Sequence, residues 1–316
     1  MSTHLDRLNS TTPSDAPFCP TRRQFLEVLA SCSAGLLMGA PSFAEAGSRY
    51  GLQWEVNDLV ERMRRQGIIQ PGEKTSWSVF DFTANQKLVA INEDAPRQAA
   101  SMIKPFVAQA YFFKLSESRG RMRYTGDVRE TMERMIRRSS NQATNQIMSM
   151  VSRHEGNRGP SDVERVLKRE APEIFRDTRI VENIPANGRT YRNQASAHDY
   201  DRFLYALWKN RLPHAFEIKD LMSLPNRDRI SDGVSAMPDY VKVYDKTGST
   251  ASLCGDMGIV EARGRNGRVY PYTFVGIIER PRRAKNYGAW ISRRSNAIRQ
   301  VSNLVYLHMK ERHGLA

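Results

Sequence analysis

Strand-forming sequence in this chain is confined to its two ends, and that arrangement limits the folds open to it. Residues 77–82, Trp-Ser-Val-Phe-Asp-Phe, read as a strand. Residues 83–86 read as a turn and 87–91 as a returning strand. Strands come back only after residue 240, at 241–244, 257–260 and 269–278. The stretch from about 100 to 223 is helical in period: 102–115, apolar on most faces; 127–137, with Val128, Met132 and Ile136 on one stripe; then 141–151, 161–170 and 197–208. A helix at 48–69 precedes the first strand, and one at about 287–311 closes the chain. Strands, helical block, strands, helix predicts an α+β fold: one antiparallel sheet built from both chain ends and flanked by the N- and C-terminal helices, with an all-helical part inserted between its strands.

The first 46 residues read as an address. A polar opening leads to Thr21-Arg22-Arg23-Gln24-Phe25-Leu26, then a weakly apolar run to Ala40, then the small-x-small pattern of Ala44-Glu45-Ala46. Paired arginines, a modest apolar stretch and a small-residue cleavage site resemble a twin-arginine export signal, with Glu27 standing where a basic residue is usual. Cleavage there predicts a periplasmic protein of residues 47–316, with its helical part at about 100–225. Leu29-Ala30-Ser31-Cys32 reads alternatively as a lipid-attachment site at Cys32. A single cysteine, Cys254, would remain, so the mature fold rests on its core and not on disulfides.

The chain carries 48 Lys+Arg against 34 Asp+Glu, a net charge of +14. In an exported protein this favours anionic cell-wall material as a surface partner over nucleic acid, for which the chain carries no motif. The six histidines form no metal-binding spacing with each other or with the cysteines, so neither a metal nor another cofactor is implied.

Three short motifs carry chemistry. Ser101-Met102-Ile103-Lys104 opens an apolar helix, where positions i and i+3 share a face. A serine needs a nearby base to act as a nucleophile, and a lysine whose pKa is depressed can be that base. Ser139-Ser140-Asn141 lies between two helices: its hydroxyl is placed to relay a proton and its amide to bind a carbonyl. Lys246-Thr247-Gly248-Ser249 follows directly after the strand at 241–245, where an edge can take an extended substrate and backbone N–H groups can face an oxyanion. Taken singly, each also reads as ordinary structure: a helix cap, a polar turn, a strand end.

Their joint occurrence in this order resembles the penicillin-recognising serine enzymes, and within them the class A β-lactamases, over residues 50–312. Asn145 matches a family asparagine that braces the active-site loop. The resemblance implies Ser101 as the acylated nucleophile, Lys104 as its proton partner and Ser139 as the proton shuttle. Asn141, Lys246, Thr247, Gly248 and Ser249 would bind substrate, with the N–H groups of Ser101 and Ser249 forming the oxyanion hole. Two departures stand out. Ser140 replaces the usual Asp, and the irregular stretch 171–196, with Pro172, Pro185 and Gly188, lacks the family's E-x-x-L-N pattern. Glu182 is the candidate base for deacylation, or else a solvated loop carboxylate; Glu170, Glu173 and Asp177 follow it. The implied activity is a serine β-lactamase-type hydrolase, acting as a monomer on a small β-lactam. The alternatives are a D-alanyl-D-alanine peptidase acting on stem peptides and a non-catalytic lactam or wall sensor.

Overall fold

The computed structural model describes residues 51–185 and 192–316. The export-signal reading, with Arg22, Arg23 and Cys32, lies outside these residues, as does Gly188 of the irregular stretch 171–196.

Helix α1 (Leu52–Arg65) is amphipathic: Leu52, Val56, Val60 and Met63, spaced three or four apart, are buried. The hairpin follows as β1 (Lys74–Asp81) and β2 (Gln86–Ile91), and a short ribbon strand β3 (Arg97–Gln98) leads into a 3₁₀ turn, Ala100–Ile103. Helices α2 (Lys104–Glu117), α3 (Gly126–Ile136), α4 (Asn141–Arg153) and α5 (Pro160–Glu170) come next. Strand β4 (Gln194–Ala195) pairs with β3, and α6 (Ala197–Trp208) and α7 (Ala215–Met222) complete the helical part. The C-terminal strands are β5 (Lys242–Ser249), β6 (Leu253–Arg263) and β7 (Val269–Glu279), followed by α8 (Tyr287–His313).

The five long strands form one antiparallel sheet in the order β2-β1-β7-β6-β5, so the N-terminal hairpin is joined to the C-terminal meander through β1 and β7. Both β6 and β7 are buried along nearly their whole length because helices cover both faces of the sheet. On one face α1 and α8 supply Val56, Met63, Ile298, Val301 and Val305 to a core that includes Trp77, Val260 and Tyr272. A second core lies within the helical part, where Phe106 meets Phe175, Tyr200 and Phe203 at ring-centroid distances of 4.9–5.0 Å. No helix of the described residues is long and apolar enough to cross a membrane.

Two expectations shift on the structure. Lys246-Thr247-Gly248-Ser249 lies inside β5 and not after it, because the ladder to β6 continues through Ser249↔Cys254. Ser101 sits on the 3₁₀ turn ahead of α2, so the helix proper begins at Lys104.

Candidate active site

The turn that carries Ser101 is held from both sides. The Ala99 N–H donates to Asn193 O at 2.9 Å, and Ala100 takes a left-handed φ of 47°, an uncommon state for a residue with a Cβ. On the sheet side Met102 lies on the bare backbone of two glycines. A Cβ on Gly248 would come within 2.9 Å of Met102 Cγ, and one on Gly255 within 2.8 Å of its Cε. Gly248 and Gly255 are ladder partners on β5 and β6. Their lack of side chains is what lets the Ser101 turn settle against the strand that carries Lys246.

Lys104 is fully buried at the start of α2. Its Nζ donates to Ser139 O at 2.5 Å and to Asn141 Oδ1 at 3.2 Å. Burial, and then the nearby charge of Lys246, lower its pKa to about 6. A neutral amine has two N–H bonds and one lone pair. With both N–H groups engaged, the lone pair is what remains to accept a proton. Ser101, three residues before Lys104, makes no side-chain hydrogen bond among the described residues.

Ser139 also has a left-handed φ, 53°, which turns its carbonyl to Lys104 just before α4 starts. Ser140 caps that helix, its Oγ accepting the Ala143 N–H at 3.2 Å. This gives the Ser in place of the family's Asp a structural task. Asn141 faces two ways. Its Oδ1 accepts from Lys104, and its Nδ2 donates to Pro185 O at 3.3 Å, tying α4 to the loop. One turn on, Asn145 donates from Nδ2 to Ile184 O at 2.7 Å and accepts the Ile184 N–H at Oδ1 at 2.9 Å. The residue so gripped is Ile184, whose side chain is buried.

On β5, Lys246 is buried and donates to Thr247 O at 3.0 Å. Burial lowers its pKa to about 8, against the raising effect of Asp245 and Asp256. Asp245 is itself pushed up to about 7 by burial and by Asp228, and burial with Asp245 raises Asp256 further. Sequence reasoning missed Arg229. This buried guanidinium donates to Ser249 Oγ at 2.7 Å, Gly255 O at 2.8 Å and Ser295 Oγ at 2.8 Å, while its backbone N–H donates to Asp256 Oδ2 at 2.7 Å. It joins β5, β6 and α8 beside the Lys246–Ser249 stretch. Only the tertiary fold brings residue 229 there, so no local pattern announced it.

The structure thus gathers Ser101, Lys104, Ser139, Asn141 and the Lys246–Ser249 stretch around one locus. Glu182 is bound within its own loop. Its Oε1 accepts the Arg192 N–H at 2.9 Å and its Oε2 pairs with Arg192 Nε at 2.8 Å, while Asn193 Oδ1 receives the Glu182 N–H. Glu170 pairs with Arg169, Asp177 donates its N–H to Asp199, and Glu173 is a half-buried carboxyl raised by burial. Among the described residues no carboxylate hydrogen-bonds to Lys104, Ser139 or Asn141. None forms a cluster of three or more His, Cys, Asp or Glu able to hold a metal ion.

The profile of the beta-lactamase enzyme family matches residues 120–309. The chain belongs to that family. Solved structures agree on the β-lactamase fold. PBP-A is 22% identical over 82% of this chain and 96% of its own, with a TM-score of 0.64. A point mutant of PBP-A, solved as an acyl-enzyme complex with penicillin G, is 20% identical over the same shares, with a TM-score of 0.61. A β-lactamase from Xanthomonas campestris pv. campestris is 17% identical over 81% of this chain and 97% of its own, with a TM-score of 0.62. A search of curated proteins returned no match. Within the beta-lactamase family, then, this chain keeps the sheet built from both chain ends and the inserted helical part expected from its sequence.

Proposed function

We propose that this protein is a penicillin-recognising serine hydrolase that forms an acyl-enzyme on Ser101 and releases it slowly. Its natural substrate would be a D-Ala-D-Ala peptide. The observation that carries acylation is the buried Lys104 amine, with both N–H groups engaged and a pKa of about 6. Lys104 accepts the Ser101 proton as Oγ bonds to the carbonyl carbon of the lactam or peptide. The negative charge that develops on the carbonyl oxygen faces the N–H groups of Ser101 and Ser249. The C–N bond then breaks, the nitrogen takes a proton through the Ser139 hydroxyl, and an ester remains on Ser101. Lys246 and Thr247, with Ser249 steadied by Arg229, hold the substrate carboxylate. Asn141 binds the side-chain amide.

Slow release rests on the loop. Water must attack the ester with help from a base. The loop residue that Asn145 grips beside Asn141 is the apolar Ile184, while the Glu182 carboxylate is occupied by Arg192. Export by a twin-arginine signal would deliver the enzyme to the wall it acts on, in keeping with its charge of +14.

Intact-mass measurement after mixing with benzylpenicillin tests the proposal. The expected result is a stoichiometric adduct that persists for many minutes, absent in Ser101→Ala. Rapid loss of the adduct with accumulating penicilloate would make the protein a fast β-lactamase instead. No adduct at all would remove the serine mechanism.

A further inference from the structure

Four cations stand in the six residues that follow β7, namely Arg280, Arg282, Arg283 and Lys285, with no Asp or Glu among them. We propose that this segment, with Tyr287 beside it, docks the protein on the surface of an anionic phospholipid bilayer.

The fold holds the segment in place. Strand β7 ends at Glu279, whose ladder partners are Lys74 at the start of β1 and Leu253 at the start of β6. Beyond it the backbone is pinned twice: the Arg280 N–H donates to Ser252 O and the Ala284 N–H to Ala251 O, each at 2.8 Å. Ala251 and Ser252 belong to the turn between Ser249 of β5 and Leu253 of β6, so the cations stand at the end of the sheet where β5 finishes. Asn286 then caps α8, its Oδ1 accepting the Ala289 N–H at 3.0 Å, and Tyr287 is the first residue of that helix. Lys74, exposed at the start of β1, adds a fifth cation at the same end.

Shape and charge select the partner. Residues 281–283 and 285–289 are exposed one after another, so the segment is convex and suits a broad surface better than a small ligand. Arg280 lies over the Trp290 ring at 5.8 Å, while Arg282 and Lys285 make no ion pair among the described residues. The acidic residues at this end are engaged inward. Glu73 is buried against Arg294 and Trp290, and Glu279 pairs with Arg97 and accepts the Gln98 N–H at 3.2 Å. The field that faces outward is therefore positive. A soluble polyanion would need only the cations. Tyr287 is 48% exposed beside them, and a tyrosine ring settles at headgroup depth while arginine forks match phosphate oxygens. That pairing favours phospholipid headgroups.

Co-sedimentation with vesicles of phosphatidylcholine, alone or mixed with phosphatidylglycerol, tests this. The protein should bind the mixed vesicles and leave pure phosphatidylcholine largely unbound. Arg282→Gln/Arg283→Gln/Lys285→Gln should weaken binding to the mixed vesicles at least about ten-fold and flatten its salt dependence. Tyr287→Ala should weaken it about three-fold and keep the salt dependence. Arg119→Gln/Arg153→Gln/Arg158→Gln removes the same charge from exposed positions of the helical part, and should change binding by less than about two-fold. Melting curves of the three variants, expected to match the parent, keep a lost fold from passing as lost docking. Equal loss in the two triple variants would reduce the effect to net charge and overturn the assigned face. Binding that survives Tyr287→Ala unchanged and is fully competed by soluble polyglutamate would give the face to a polymer and overturn the bilayer assignment. Failure to bind the mixed vesicles overturns it outright. None of these readouts depends on acylation at Ser101.

Discussion

Asn145 holds Ile184 by both of its backbone polar groups, donating to the carbonyl at 2.7 Å and accepting the N–H at 2.9 Å. Replacing Asn145 with alanine leaves both groups without that partner beside a buried side chain. The expected cost is about 1–3 kcal/mol of folding stability. Thermal or urea unfolding measures it. An unchanged midpoint would mean that the loop is not anchored through this pair.

Two lysines set the pH response. Lys104, near 6, must be neutral to take the Ser101 proton, so acylation rises as pH passes upward through about 6. Lys246, near 8, must be charged to hold the substrate carboxylate, so acylation falls again above about 8. The expected profile of the second-order acylation rate is a bell between these limits, its two arms belonging to the interacting pair. A rate flat from pH 5 to 9 would contradict it.

The same burial has a stability consequence. Unfolded Lys104 binds a proton up to about pH 10.5, while the folded residue releases it at about 6. Between those values the unfolded state holds more protons, so the destabilisation from this lysine shrinks as pH rises and is fully present below about pH 6. Lys104→Met should abolish acylation and raise stability by on the order of 1–2 kcal/mol at pH 6, with a smaller gain at pH 9. Paired denaturation curves at the two pH values check it.

Gly248→Ala adds a methyl group within 2.9 Å of Met102 Cγ and 3.2 Å of Ala100 Cβ, on the turn that carries Ser101. The turn must move away from β5. Overpacking of this sort typically costs about 1–3 kcal/mol, and the acylation rate should fall by more than that cost in stability explains. Stopped-flow acylation beside a melting curve separates the two effects.

Glu182→Ala removes the partner of Arg192 across the two ends of the loop. Arg192 is largely exposed, so the stability loss should stay under about 1 kcal/mol. Hydrolysis of the Ser101 ester should keep its rate. A ten-fold slower release would restore Glu182 as the base.

The sequence carried the fold well because its signals are local. Helix α6 was read at 197–208, and β7 to within one residue, from apolar period and turn chemistry. Strand β6 was read at 257–260 alone, because Gly255 and Asp256 break the apolar run, yet the ladder to β7 extends from Leu253 to Arg263. The two-residue strands β3 and β4 were invisible, being fixed only by their pairing across nearly 100 residues. In the candidate site, motif order anticipated that Lys104 would lie near Ser139, Asn141 and Lys246. The hold of Asn145 on the loop was expected from the resemblance, though not that Ile184 is the residue held; Arg229 was not legible, since it joins elements far apart in sequence.

The pairing of β1 with β7, from Lys74↔Glu279 to Asp81↔Tyr272, sets the timing of assembly during synthesis. A growing chain displays Ser101 and Lys104 long before residues 242–279 exist to form the strands beneath them. Until then the serine turn has no Gly248–Gly255 floor and Lys104 has no Lys246 beside it. Such slow, long-range closure means that the surroundings of Ser101 and Lys104 are complete only after β5, β6 and β7 have docked.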